Sequence, residues 1–119
     1  MPEDYRYWQL VGRKAAELAK LYSYQRCDLP FLESVLLYDK FCGKSSDLVN
    51  KELVWFVDKS GDKVALRPDV LPSLSRAILE HSVVNQGETF KSFWFGPVVR
   101  YDKSQGGRLR QSHQFSLNV

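Results

Sequence analysis

The side chains best placed to do chemistry lie in residues 109–119, where character alternates strictly along the chain. One parity carries Leu109, Gln111, His113, Phe115, Leu117 and Val119, and the other carries Arg110, Ser112, Gln114, Ser116 and Asn118, polar throughout. Alternation of period two puts each parity on its own face of a strand. A row of hydroxyls and amides with a cation at one end offers donors and acceptors to a polar ligand; such a face either meets solvent or lines a site. His113 falls on the apolar parity and reads as a satisfied core histidine ahead of a catalytic one. Cys27 and Cys42 are the only thiols, and no second Cys/His pair stands at metal-ligand spacing. They read as reduced cysteines rather than as a zinc site or a disulfide.

The elements that must position this strand are legible upstream. Tyr7, Leu10, Val11, Leu18, Leu21 and Tyr22 recur at helical spacing, predicting one buried stripe on a helix capped by Asp4. Residues 24–31 then run extended into Pro30, which suits a sheet edge or strand end, and residues 34–41 predict a short helix. Residues 53–58 and 63–66 predict two strands joined by the Lys59-Ser60-Gly61-Asp62 turn. After Arg67-Pro68, the positions Leu71, Leu74, Ile78 and Leu79 predict a helix to about Val83, with Pro72 in its first turn. Residues 90–101 form an aromatic-rich strand pattern, and residues 102–108, containing Gly106 and Gly107, form a loop. No internal repeat or linker divides the chain, and the alternation is still running at Val119, which predicts a single domain over 1–119 with an open sheet edge.

With 44% hydrophobic and 13% aromatic residues in 119, the chain can bury a real core, which argues against disorder. A formal charge of +3 without a Lys/Arg run does not announce a nucleic-acid tail. The charged start Glu3, Asp4, Arg6 and the lack of any long apolar run predict neither a signal peptide nor a membrane span, hence a cytoplasmic protein.

Residues 96–115, GPVVRYDKSQGGRLRQSHQF, resemble the second signature motif of histidine–tRNA ligases, close to GPxFRxExPQxGRxRQFHQ. Residues 43–52 resemble the family's segment before its central hairpin. Leu66-Arg67-Pro68-Asp69 resembles the LRPE element that follows, Arg76-Ala77 with Glu80-His81 keeps the register, and Pro30 falls where the class II motif 1 proline is expected. The resemblance covers nearly the whole chain. It implies an α+β fold, an antiparallel sheet flanked by helices, as the N-terminal part of a class II synthetase catalytic core. It also implies ATP-dependent activation of histidine, with Mg2+, transfer to tRNA-His, and a homodimer. Arg100 matches the arginine that bridges carboxylate and α-phosphate, a role suited to a planar fork of donors; read without the resemblance it is a surface arginine at a strand end. Gln114 matches the glutamine that contacts histidine, the alternative being a solvated strand face. Arg108 and Lys103 lie on the loop that approaches ATP and the tRNA acceptor end, and solvation alone would also explain them.

The departures are specific. Ser112 stands where the family places a Phe that stacks on adenine; such stacking is worth ~1–3 kcal/mol, so its loss weakens nucleotide binding by about tenfold to a hundredfold. Asn118 replaces an acidic residue that helps hold the substrate amino group or metal, and a neutral amide cannot supply that charge. Asp69 and Asp102 keep the charge of family glutamates at shorter reach, and Leu71 replaces a threonine. The resemblance therefore assigns Arg100 to catalysis, Asp69, Gln114 and Asn118 to the amino acid, and Arg100, Asp102, Arg108 and Ser112 to ATP. No counterpart of motif 3, of an RGLDYY-like segment or of the anticodon-binding domain is recognisable, so this chain alone is expected not to complete the reaction. Two further readings stand beside the ligase: a catalytically silent paralogue, such as the synthetase-like regulatory subunit of ATP phosphoribosyltransferase, and an interaction module without small-molecule binding.

Overall fold

The computed structural model describes residues 2–43, 46, 48–83, 89–101, 106–107 and 109–119, with backbone alone at 48 and 50. Its elements in chain order are α1 (Pro2–Leu21), β1 (Gln25–Arg26), β2 (Leu32–Ser34), α2 (Val35–Cys42), a π-helical turn (Leu48–Glu52), β3 (Trp55–Val57), β4 (Lys63–Leu66), α3 (Leu71–Glu80), β5 (Ser92–Val99) and β6 (Gln111–Asn118). The fold is α+β, as expected. Its strands form two three-stranded sheets instead of one, ordered β1-β5-β6 and β2-β4-β3. All pairings are antiparallel except β1 with β5, which runs parallel. A parallel neighbour needs a long crossover, and here the chain between β1 and β5 contains the whole second sheet and both shorter helices.

Local sequence accounts for several boundaries. Ser34 takes an extended conformation and its Oγ accepts the Leu36 N–H, starting α2; Gly43, at φ 82°, ends it. The β3–β4 turn is tied by Asp58, whose Oδ1 accepts the N–H groups of Ser60 and Asp62, with Gly61 at φ 89°. Pro72 sits in the first turn of α3, where its missing N–H costs nothing. That helix stops at Glu80, short of Val83, where His81 and Ser82 turn the chain and Ser82 adopts φ 48°.

Two expectations about α1 are corrected. The helix begins at Pro2, so Asp4 sits inside the first turn with Glu3, where acidic side chains favour the helix dipole. The apolar stripe is not buried: Ala19 is the buried residue of α1, whereas Tyr7, Trp8, Leu10, Val11 and Leu18 keep about half their surface. What docks α1 is a narrow seam. The Trp8 and His113 rings meet at a tilt of 47° with centroids 4.4 Å apart, and a Cβ on Gly12 would meet the Phe95 ring at 3.3 Å. His113 is accordingly an exposed residue tilted against Trp8 and Phe95, not a core histidine. The seam covers only part of the sheet face, which leaves the rest of the stripe outside this core.

The opposite face of β5 carries the buried row Ser92, Trp94, Gly96 and Val98. Trp94 and Val98 form one core cluster with Val70, joined by Cys27 and Leu29. A second cluster, Tyr38, Leu53 and Ala65, lies between α2 and the smaller sheet; burial keeps the Tyr38 phenol neutral, pushed up to about 12. Arg67 joins the two units. Only 3% exposed, it donates to the carbonyls of Leu29 (2.8 Å), Pro30 (2.7 Å) and Pro97 (3.1 Å), and its guanidinium lies 4.3 Å from the Trp94 ring centroid. Burial pushes its pKa down. Cys27 and Cys42 stand as free, half-buried thiols.

The indole of Trp94 fills the space a side chain at 96 would need: a Cβ there would stand 2.6 Å from Cζ2. Gly96→Ala is therefore expected to destabilise the chain by about 1–3 kcal/mol, measured by denaturant unfolding; an unchanged midpoint would show that the indole shifts freely.

Candidate functional site

The site is built where the ends of β5 and β6 meet the start of α3. The backbone of Arg67 is bonded on both sides, its N–H to Phe31 O and its carbonyl to the Val99 N–H, both at 2.9 Å. This fixes Pro68 and Asp69 alongside the end of β5. Asp69 Oδ1 accepts the Leu71 N–H at 2.9 Å, an Asx turn that leads into α3. Its Oδ2 accepts from Arg100 Nη2 and from Gln114 Nε2, each at 3.3 Å. Arg100 also donates through Nε to Pro68 O at 2.9 Å. Asp69, Arg100 and Gln114, read from three separate segments, thus converge on one carboxylate oxygen.

The pairing of β5 with β6 decides what the polar row does. Gly96 faces Gln114, Trp94 faces Ser116 and Ser92 faces Asn118, so the polar parity lies on the side of the Trp94 core cluster. Gln114, Ser116 and Asn118 are half-buried there and Ser112 is exposed; the row lines a covered face and does not simply meet solvent. Val98, Arg100, Leu109, Ser112, His113 and Gln114 border a cleft of about 280 Å³. Ser112 borders it with a hydroxyl where the family motif has a ring. At the far end Ser116 Oγ donates to Asn118 Oδ1 at 3.0 Å, which places Asn118 apart from the Asp69 cluster. Among the described residues, Gln114 Oε1 and Asn118 Nδ2 are buried without a hydrogen-bond partner. The predicted residues Asp102, Arg108 and Lys103 lie outside the described residues, as do Lys44, Ser45 and Asp47 of the upstream segment.

Exposure tells what the Arg100–Asp69 pair is for. The two side chains keep 37% and 28% of their surface, and such pairs contribute roughly 0–1 kcal/mol. Orientation is the larger effect: Arg100 is held at Nε and Nη2, and a guanidinium beside a carboxylate offers adjacent seats for an anion and a cation. The amide of Gln114 must turn Nε2 toward Asp69, because Oε1 there would face a carboxylate oxygen. Sequence reading missed Arg67, taken only as the end of a strand. The only signal was an arginine set between Leu66 and Pro68, and nothing in that spacing shows which carbonyls it meets.

A family model described as Histidyl-tRNA synthetase matches residues 1–118. The chain belongs to the histidyl-tRNA synthetase family. Among curated relatives, a histidine–tRNA ligase of Dehalococcoides mccartyi is 42% identical over 119 residues, all of this chain and 28% of the relative. One of Pseudothermotoga lettingae is 37% identical over 117 residues, 98% of this chain and 27% of the relative. The apo histidyl-tRNA synthetase of S. aureus superposes with a TM-score of 0.78 at 26% identity, covering 98% of this chain and 26% of that one. A Bacillus halodurans structure titled ATP phosphoribosyltransferase regulatory subunit/histidyl-tRNA synthetase gives 0.79 at 20% identity, covering 98% of this chain and 29% of that one, a likeness of fold alone. The regulatory-subunit reading is not favoured, since relatives at 36–42% identity carry the ligase name. The chain spans about 28% of the length of the curated relatives it matches.

Because Asp69 Oδ1 holds the first N–H of α3, Asp69→Ala is expected to lower the unfolding free energy by about 1 kcal/mol. Asp69→Asn, which keeps an acceptor oxygen, should lose less. Equal losses in urea unfolding would remove the turn as the cause.

Proposed function

We propose that the face carrying Asp69, Arg100 and Gln114 forms part of a site that activates histidine with ATP, for transfer to tRNA-His, in the whole histidyl-tRNA synthetase. The observation that carries this reading is the shared carboxylate oxygen, accepting from Arg100 and Gln114 together. An amino acid is a zwitterion, and a carboxylate adjoining an oriented guanidinium complements both of its charges.

In the reaction, an oxygen of the histidine carboxylate attacks the α-phosphorus of ATP while the bond to the pyrophosphate oxygen breaks. Negative charge gathers on the phosphoryl oxygens beside the carboxylate, and preorganised donors there lower the barrier most. Arg100 supplies such donors, with Nε and Nη2 already anchored by Pro68 O and Asp69. Asp69 and the unpaired Gln114 Oε1 accept from the substrate ammonium. Asn118 offers a neutral amide at the far end of the same face, and Ser112 a hydroxyl on the nucleotide side; Asp102 and Arg108 are assigned to ATP by the motif alone. Magnesium would serve by neutralising phosphate charge. Among this chain's own residues, Arg100 is the group argued here to stabilise that charge.

Two further proposals follow from the same reading. The exposed stripe Tyr7, Leu10, Val11 and Leu18 of α1 supports a homodimer that covers it. No described helix is long and apolar enough to cross a membrane, and a tRNA substrate supports a cytoplasmic location.

Calorimetric titration of the whole protein with a non-hydrolysable histidyl-adenylate analogue is expected to show stoichiometric binding. Arg100→Lys, which loses the planar fork, should weaken it by about tenfold or more. No binding at millimolar analogue would reject the reading. Light scattering is expected to give a dimer; a monomer at micromolar concentration would reject that proposal.

A further inference from the structure

Arg100 has a second guanidinium for a neighbour. The β5–β6 register pairs Val99 with Gln111, and the next step is bonded too, the Arg100 N–H donating to Arg110 O at 2.8 Å. Arg100 and Arg110 are therefore directly opposed, and like charges in that position repel. The carboxylate beside them is Asp69, whose Oδ1 already holds the Leu71 N–H and whose Oδ2 already accepts from Arg100 and Gln114. A further guanidinium on that carboxylate would occupy the lone pairs that a ligand ammonium needs.

The structure shows where Arg110 goes instead. Its Cζ lies 4.6 Å from the ring centroid of Tyr101, a cation–π contact. The main chain of Tyr101 is itself anchored beside the last rung of the strand pair, its N–H donating to Glu52 O at 2.7 Å. The result is a division of labour between two equal charges. Arg100 turns to Pro68 O and Asp69, and Arg110 turns to an aromatic face.

We propose that Tyr101 is a positioning residue of this site: by holding Arg110 on its ring, it keeps the second guanidinium off Asp69 and leaves that carboxylate to Arg100, Gln114 and the amino group of the ligand. The inference rests on the proposed amino-acid-activating site, to which it adds a residue that touches neither substrate nor Asp69. A merely structural Tyr101 would predict that further loss at Arg110 adds damage. Removing a competitor predicts repair.

The test is the affinity of the whole protein for the non-hydrolysable histidyl-adenylate analogue, by calorimetry, in four variants. Tyr101→Ala should weaken binding by about tenfold, the equivalent of one displaced charge-assisted hydrogen bond. Tyr101→Phe, which keeps the ring, and Arg110→Ala, which removes the competitor, should both stay near the parent affinity. The double variant Tyr101→Ala with Arg110→Ala should recover to within about threefold of the parent. Unchanged affinity in Tyr101→Ala, or a double variant as weak as Tyr101→Ala, overturns the inference. A parent protein that does not bind the analogue overturns the proposed function and the inference with it, whereas binding that is lost in Arg100→Ala yet indifferent to Tyr101 overturns the inference alone.

Discussion

The buried guanidinium of Arg67 is the constraint on which the rest of this structure depends. Its hydrogen bonds reach carbonyls of the segment between the first two strands and of β5, and its cationic plane rests on Trp94 with Phe31 nearby. A charge this enclosed needs partners for its donors and cover for its faces; here Nη1 and Nη2 are matched, while Nε is buried without a partner among the described residues. The bond to Pro97 ties the two sheets to each other, because that carbonyl belongs to β5 and the arginine ends β4 of the other sheet. The main chain of Arg67 is bonded on both sides as well, which makes the placement of Pro68 and Asp69 a by-product of joining the sheets. The candidate site inherits its geometry from this joint rather than from its own weak ion pair.

Around Asp69 the electrostatics are economical. One carboxylate starts α3 through one oxygen and organises Arg100 and Gln114 through the other. Each link contributes little alone, since the groups keep part of their hydration. Together they hold two side chains from different strands in one orientation, which is what charge stabilisation in a phosphoryl-transfer step requires.

Much of this was legible in the sequence, and the reason is local. The β3–β4 hairpin, the Ser34 start of α2, Pro72 in α3 and the alternation of β6 all depend on residues within a turn or two of each other. The family motif supplied Asp69, Arg100 and Gln114, and the folded chain brings these together. What was not legible depends on distant partners. The helical period of α1 gave the helix but not its burial, because period reports which residues share a face and not whether anything covers it. His113 followed the apolar parity of its strand, yet that face is covered only along the Trp8 seam. The split into two sheets and the parallel β1–β5 pair rest on a two-residue strand, too short to leave a pattern. Arg67 read as punctuation because its carbonyl partners lie 30 to 38 residues away.

The absence of a side chain at Gly96 has a consequence for recognition. Gly96 is the cross-strand partner of Gln114, and the room its side chain would take is filled by the indole of Trp94. The atoms of that indole nearest the glycine are carbons, which neither accept nor donate a hydrogen bond. Gln114 is thus engaged on its nitrogen by Asp69 while its oxygen is unclaimed among the described residues. A guest that brings an N–H to that oxygen breaks no hydrogen bond among the described residues, yet it must part the packing that buries the oxygen, so selectivity at this point is set by access and not by competition.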